Sequence, residues 1–202
     1  MPTIVPTLIR FRLVETVAVS DIGWEAWRNI QKQTVGGRTF AQLCGHGYQS
    51  AAEAYREFYG LETSIKSEWR EAMDHGKNKE PLVKAALQYS DDIIESLVEE
   101  PASYKYEITV RMKGKVHEFH GIASPDLYLS LDQSLYEIKC PFYKMKEYDN
   151  PQAYRMWWTS SQPSYGKTQY FLQVLWYWYL LTNATGEEIS VPVAFFGLDD
   201  SF

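Results

Sequence analysis

The stretch Gly121–Tyr143, GIASPDLYLSLDQSLYEIKCPFY, decides how the chain is read. Asp126 comes first, and Glu137-Ile138-Lys139 follows beyond a polar break at Asp132-Gln133-Ser134. The alternation on either side of that break predicts two short strands joined by a turn. Side chains on a strand repeat every two residues, so Glu137 and Lys139 share one face and Ile138 takes the other. If the hairpin folds back, Asp126 comes level with the face that carries Glu137. Two carboxylates and an amine then converge at a strand edge, which suits a hard divalent cation with a water activated beside it. Taken alone the spacing is a weak signal, because acids and lysines on adjacent strands are more often solvated cross-strand pairs.

Composition narrows the classes. With 202 residues, the length suits one compact domain with a real core, residues 1–202. A hydrophobic content of 45% excludes disorder of the whole chain. The formal net charge of −6 argues against a general polyanion binder coated in Lys and Arg. It leaves room for a nuclease that gathers acids at its site and confines bases to one groove. Cys44 and Cys140 are the only cysteines, which is too few for a disulfide framework, and they read as ordinary reduced thiols. The first twenty residues lack a basic region followed by an apolar core, so no signal peptide is expected. The apolar run Tyr170–Leu181 is shorter than the ~20 residues of a membrane span. The expectation is a protein of the cytoplasm of a bacterial host, or an intracellular viral one, with no membrane association.

Along the chain, residues 1–20 read as an extended arm or edge strand interrupted by Pro2 and Pro6. Asp21 is placed to cap a helix whose apolar face is Trp24, Trp27 and Ile30, and Gly36-Gly37 ends it. Short helices are expected over 39–44 and 50–59, then another over 64–74. A break at His75-Gly76 precedes a helix over 78–100, with Pro81 in its first turn and Glu80 beside it. A hairpin follows, 104–112 and 115–123, turning at Lys113-Gly114. After Pro141 a polar and aromatic stretch holds Trp157-Trp158. A strongly apolar helix is expected over 168–183 and a last strand over 189–198. This order predicts a mixed α/β fold on one central sheet.

The string Ser124-Pro125-Asp126 followed by Glu137-Ile138-Lys139-Cys140-Pro141 resembles the PD-(D/E)xK nuclease superfamily. Within it, the chain looks most like the lambda-type (YqaJ-like) phage exonucleases. Gly76–Pro81 is similar to that group's glycine-to-glutamate helix start, Gln173–Tyr177 to its QxxxY helix, Trp24–Arg28 to its tryptophan-to-arginine helix, and Val35-Gly36-Gly37 to the loop after it. The resemblance runs from about residue 24 to about residue 180. It implies a restriction-endonuclease-like core, a central mixed β-sheet flanked by helices, and a metal-dependent enzyme that digests one strand of duplex DNA from its end, 5′→3′. It also implies a single-strand annealing protein as partner and a ring-shaped trimer. Two positions depart from the pattern: Leu127 stands where the family carries glycine, and Arg38 where it carries serine.

Phosphodiester hydrolysis needs neutralised charge, an activated water and help for the leaving oxygen. Asp126, Glu137 and the Ile138 carbonyl are the candidate ligands for Mg²⁺, with Mn²⁺ as its substitute. Glu80 is the candidate to complete a second or shared ion site, giving one or two ions. Lys139 is assigned to the attacking water, with its pKa lowered by the metal charge. Gln173 orients Lys139 or contacts DNA, and Tyr177 lies one helical turn on, facing the same side. Arg28, Arg38, Ser124 and Tyr177 are the candidate DNA or phosphate contacts. Bland readings stand beside these: a helix-start acid for Glu80, a core amide for Gln173, packing for Tyr177 and a surface pair for Arg28. His75, His117 and His120 lack metal spacing and read as structural, and Trp157-Trp158 reads as packing ahead of base stacking. The rival functions are a structure-specific or nicking endonuclease of the same superfamily and a non-catalytic DNA-binding protein.

Overall fold

The structure, a computed structural model, describes residues 8–47, 49–61, 67–88, 98–99, 102–129, 134–139, 165–186 and 193–195. Trp157-Trp158, Cys140 and most of the expected 132–134 turn lie outside them, as does the greater part of the 189–198 strand. The first hairpin forms as its sequence predicts. β3 (Ser103–Met112) and β4 (Lys115–Ala123) pair antiparallel from Tyr104↔Ala123 to Met112↔Lys115. Lys113 and Gly114 take φ values of 49° and 76°, the double positive that a two-residue type I′ turn demands. The arm at the N-terminus becomes β1 (Leu8–Val17), antiparallel to β3, which leaves it at the edge of a β1-β3-β4 sheet.

A second set of strands is mixed. β2 (Val98–Glu99), β5 (Leu127–Leu129), β6 (Ser134–Lys139) and β7 (Val193–Phe195) pair in the order β2-β5-β6-β7, and the β6–β7 pair is parallel. The expected mixed sheet is present, but among the described residues the strands form two hydrogen-bonded sets instead of one. The chain passes from one set to the other through Ser124-Pro125-Asp126. Val98 and Glu99 were expected at the end of a helix; pairing with Leu129 and Tyr128 claims them for the sheet instead.

The helices are α1 (Val19–Ile22), α2 (Trp24–Lys32), α3 (Gly37–Leu43), α4 (Ala51–Phe58), α5 (Ser67–Gln88) and α6 (Tyr165–Thr185). Asp21 lies inside α1, and Gly23 at φ 78° is the residue that caps α2. Trp24 is 53% exposed where burial was expected, because it stacks outside Trp27, which is buried and donates its indole N–H to Ser103 Oγ at 3.1 Å. Ser50 starts α4 with a reciprocal capping box to Glu53. The break expected at His75-Gly76 is absent, and α5 runs unbroken through Gly76 and Pro81. Pro81 cannot donate to the carbonyl four residues back, yet the helix continues past it. Glu80 therefore sits within a long helix and is not a first-turn acid.

α6 is apolar on nearly every side. It buries Val174, Trp176, Tyr177, Leu180 and Leu181, and joins a core of Tyr106, Ile108, Ala123 and Val35. Val35 ties the loop before α3 to β4: its N–H donates to His120 O at 2.8 Å, and its carbonyl accepts from Ile122 N–H at 3.1 Å. The same carbonyl accepts the Trp176 indole N–H at 2.9 Å, so one residue fixes loop, sheet and helix together. Phe40 on α3 then stacks on Trp176 with ring centroids 4.6 Å apart. No helix among the described residues is long and apolar enough to cross a membrane.

Gly121 is where α6 and the β3–β4 sheet come closest. A Cβ there would lie 2.8 Å from Ile108 Cδ1 and 2.9 Å from Trp176 Cζ2. The Ile108 methyl can turn away but the indole, fixed by Val35, cannot. Gly121→Ala is expected to cost about 1–3 kcal/mol, the range of core overpacking. Urea unfolding checks this, and an unchanged midpoint would mean the indole is not clamped.

Candidate active site

Register does the first part of the assembly. β5 and β6 pair through Leu127↔Tyr136, Tyr128↔Leu135 and Leu129↔Ser134, so continuing the ladder by one residue sets Asp126 opposite Glu137. Leu127, at the family's glycine position, is 1% exposed and simply begins β5. Asp126 Oδ2 accepts the backbone N–H of Ile138 at 2.6 Å, which fixes the carboxylate against the middle residue of the triplet. Ile138 turns its side chain into the core, at 5% exposure. Period two then returns Glu137 and Lys139 to the opposite face.

The second part comes from α6. Gln173 Nε2 donates to Glu137 Oε1, and Lys139 Nζ donates to the same oxygen. Gln173 Nε2 also lies 3.2 Å from Tyr177 OH. Glu137 is 2% exposed, and its other oxygen, Oε2, is buried with no hydrogen-bond partner among the described residues. Ser124 Oγ is buried and without such a partner too. Glu80 approaches from α5, paired with Lys84 Nζ at 2.9 Å one turn along, and its charge is felt at Asp126, Glu137 and Lys139 alike.

Electrostatics record this crowding. Burial, followed by the charge of Asp126, pushes the Glu137 carboxyl up to about 8. Asp126 is raised by burial, with Lys139 opposing and Glu80 adding to the rise. Lys139 is also buried, which acts to lower it, but Glu137 and Asp126 outweigh burial and hold it above its ordinary value. The expected lowering of the lysine came from a metal charge; the protein's own groups act the other way. Tyr177 is raised well above a free phenol by burial and then by the two carboxylates.

Among the described residues, no three acid, Cys or His groups are already drawn together as a cation cage. The donor chemistry nonetheless fits a hard divalent ion. The charge of Asp126 raises Glu137, one buried Glu137 oxygen has no donor among the described residues, and that repulsion is what a cation would relieve.

The remaining expectations divide. Arg38 sits at the start of α3, paired to Glu57 at 3.3 Å on an exposed face, and its charge reaches the Tyr177 hydroxyl. Gly37 makes that approach possible, since a Cβ there would lie 2.9 Å from the Gln173 carbonyl and 2.9 Å from Tyr177 Cε1. Arg28 lies on the exposed side of α2, its guanidinium 5.8 Å from the Trp24 ring centroid. Two neighbours went unread in the sequence. Lys84 could have been found four residues after Glu80 on the same helix face. Tyr170 could have been found three residues before Gln173; its ring centroid is 5.6 Å from Lys139 Nζ.

The raised Glu137 pKa has a thermodynamic consequence for the metal-free protein. Between its ordinary value of 4.5 and about 8 the folded state keeps a proton that the unfolded state releases. Stability from this group is therefore present at low pH and falls as pH climbs through that window. Glu137→Gln should flatten the fall between pH 5 and 8 by roughly 1–3 kcal/mol. Urea midpoints measured across that range without metal check it, and parallel curves for the two proteins would contradict it.

The family model for the YqaJ-like viral recombinase domain matches residues 26–186, which include Asp126, the Glu137–Lys139 strand and the Gln173–Tyr177 turn of α6. Searches among curated proteins and solved structures return no match. The family is one of phage and viral recombination nucleases, with DNA as substrate. The chain thus belongs to the YqaJ-like viral recombinases, the lambda-type exonuclease family of the PD-(D/E)xK superfamily.

Proposed function

We propose that this chain is a Mg²⁺-dependent deoxyribonuclease that resects linear duplex DNA from its ends, 5′→3′, in phage or viral recombination. One observation carries the reading. Glu137 Oε1 is held from two sides by Lys139 and Gln173, while Asp126 is fixed on the backbone of the residue between them. A carboxyl shifted by burial and by a second acid, beside a lysine, is the kind of group that gathers at functional sites.

In this reading Asp126, Glu137 and the Ile138 carbonyl hold Mg²⁺, with Glu80 completing a second or shared site, and Mn²⁺ substitutes. When bound, Mg²⁺ neutralises phosphate charge and makes a bound water more acidic. Lys139 holds the attacking water on the strand edge through its remaining N–H groups. Gln173 keeps Glu137 and Lys139 aligned, with Tyr177 closing the site behind it. Ser124, whose buried hydroxyl has no hydrogen-bond partner among the described residues, donates to a phosphate oxygen in this reading. Arg38, an exposed fork donor within electrostatic reach of Tyr177, contacts the phosphate at the strand end in place of the family's serine. Arg28 with Trp24 lies on α2 as an outer phosphate contact. A single-strand annealing protein as partner and a trimeric ring belong to the same proposal.

The test uses linear duplex labelled separately at each end, with and without 5′-phosphate, alongside closed circular duplex. Mg²⁺-dependent release of the 5′ label with circles left intact is expected. Cutting of closed circles would replace the exonuclease by an endonuclease. Lys139→Ala should lower kcat by about 10²- to 10⁴-fold, as expected for loss of a group that moves or holds the reacting proton; unchanged activity would sink the mechanism. Arg38→Ala should raise KM and reduce the slope of log affinity against log salt by about one. An unchanged slope would remove Arg38 from the interface.

A further inference from the structure

Lys139 is held by more than its carboxylate. Its Nζ lies 5.6 Å from the centroid of the Tyr170 ring, within the distance at which an ammonium is attracted to a ring face. Tyr170, Gln173 and Tyr177 follow one another at i, i+3 and i+7, so they share one stripe of α6. On the facing strand Glu137 and Lys139 are two residues apart on one side. Gln173 meets Glu137 and Tyr170 meets Lys139, so the helix runs against the direction of the strand. The spacings nearly agree: two strand residues advance ~6.6 Å and three helical residues ~4.5 Å. The lysine stem and the breadth of the ring take up the remainder. Lys139 thereby has two anchors, Glu137 Oε1 and the ring face.

We propose that Tyr170 is a positioning residue for hydrolysis at this site, its ring face holding the Lys139 ammonium so that an N–H stays directed at the attacking water. This rests on the nuclease reading above, but the ring contact can be tested apart from it. An ammonium with Glu137 as sole anchor can swing about that oxygen, since lysine carries three donors on a flexible stem. The ring limits that swing without consuming a donor. A hydroxyl or carboxylate in the same place would accept an N–H and take it from the water.

Two readouts decide the proposal. In full-length protein carrying ¹³C-lysine, the Lys139 ε-methylene should resonate upfield in wild type and Tyr170→Phe, and move downfield in Tyr170→Leu; Lys139→Arg assigns the signal. In Mg²⁺-dependent digestion of linear duplex, Tyr170→Leu should lose roughly 3- to 30-fold in kcat, the range that a cation–ring contact supports. KM should stay within about twofold, and Tyr170→Phe should restore kcat. Replacing residue 170 by phenylalanines of increasing fluorination should lower kcat in graded steps, which a packing role would not produce. A Phe variant as slow as the Leu variant would assign the effect to the hydroxyl and overturn the proposal. So would a Lys139 signal indifferent to residue 170. A wild-type chain without nuclease activity but with the upfield signal would uphold the ring contact and refute the hydrolytic reading instead.

Discussion

A single oxygen, Glu137 Oε1, joins the strand that carries the acids to the helix that backs them. It accepts from Lys139 along β6 and from Gln173 across on α6. Burying a carboxylate costs several kcal/mol unless donors replace the lost water. Here the donors come from two different elements. The pairing therefore works only if the β5–β6 register and the position of α6 are both right. A slip of β6 by one residue would turn Glu137 and Lys139 into the core and bring Ile138 to the site. Asp126 guards against that slip by bonding the Ile138 N–H.

The other end of the arrangement is steric. Val35 fastens the loop before α3 to β4 and also accepts the Trp176 indole N–H, so α6 is set against the sheet by a backbone carbonyl. At Gly37 and at Gly121 a side chain would force those layers apart. The close approach at Gly37 carries Arg38 to within electrostatic reach of Tyr177. Packing and chemistry are thus coupled: the same contacts that bury Trp176 and Leu180 aim Gln173 at the acids. The exposed Arg38–Glu57 pair is weak by comparison, as surface pairs are, and leaves Arg38 available to a phosphate.

Much of this was legible in the sequence, and the limits are instructive. The Lys113-Gly114 hairpin and α6 were readable because turn chemistry and sustained hydrophobicity are local signals. Placing Asp126 level with Glu137 needed only period two and a turn. Local signals also misled. His75-Gly76 suggested a break and Pro81 a helix start, neither of which interrupts α5, and Val98-Glu99 looked helical until a partner strand took them. Trp24 looked buried by its spacing, but α2 has room to bury only Trp27 against Ser103. Tyr170 was hidden because its role depends on α6 running against β6, a relation between elements far apart in the chain. The reach of the Glu80 charge to Asp126 and Glu137 likewise became visible only once three elements were brought together.

In the proposed function, the like charges of Asp126 and Glu137 destabilise the site until a divalent cation joins them. The most direct measurement of this is the thermal midpoint at pH 8 with and without Mg²⁺, in wild type and in Glu137→Gln. Binding to the folded state alone must raise the midpoint. A clear rise is expected for wild type and little or none for Glu137→Gln. Equal rises in the two proteins, or none in wild type, would contradict it.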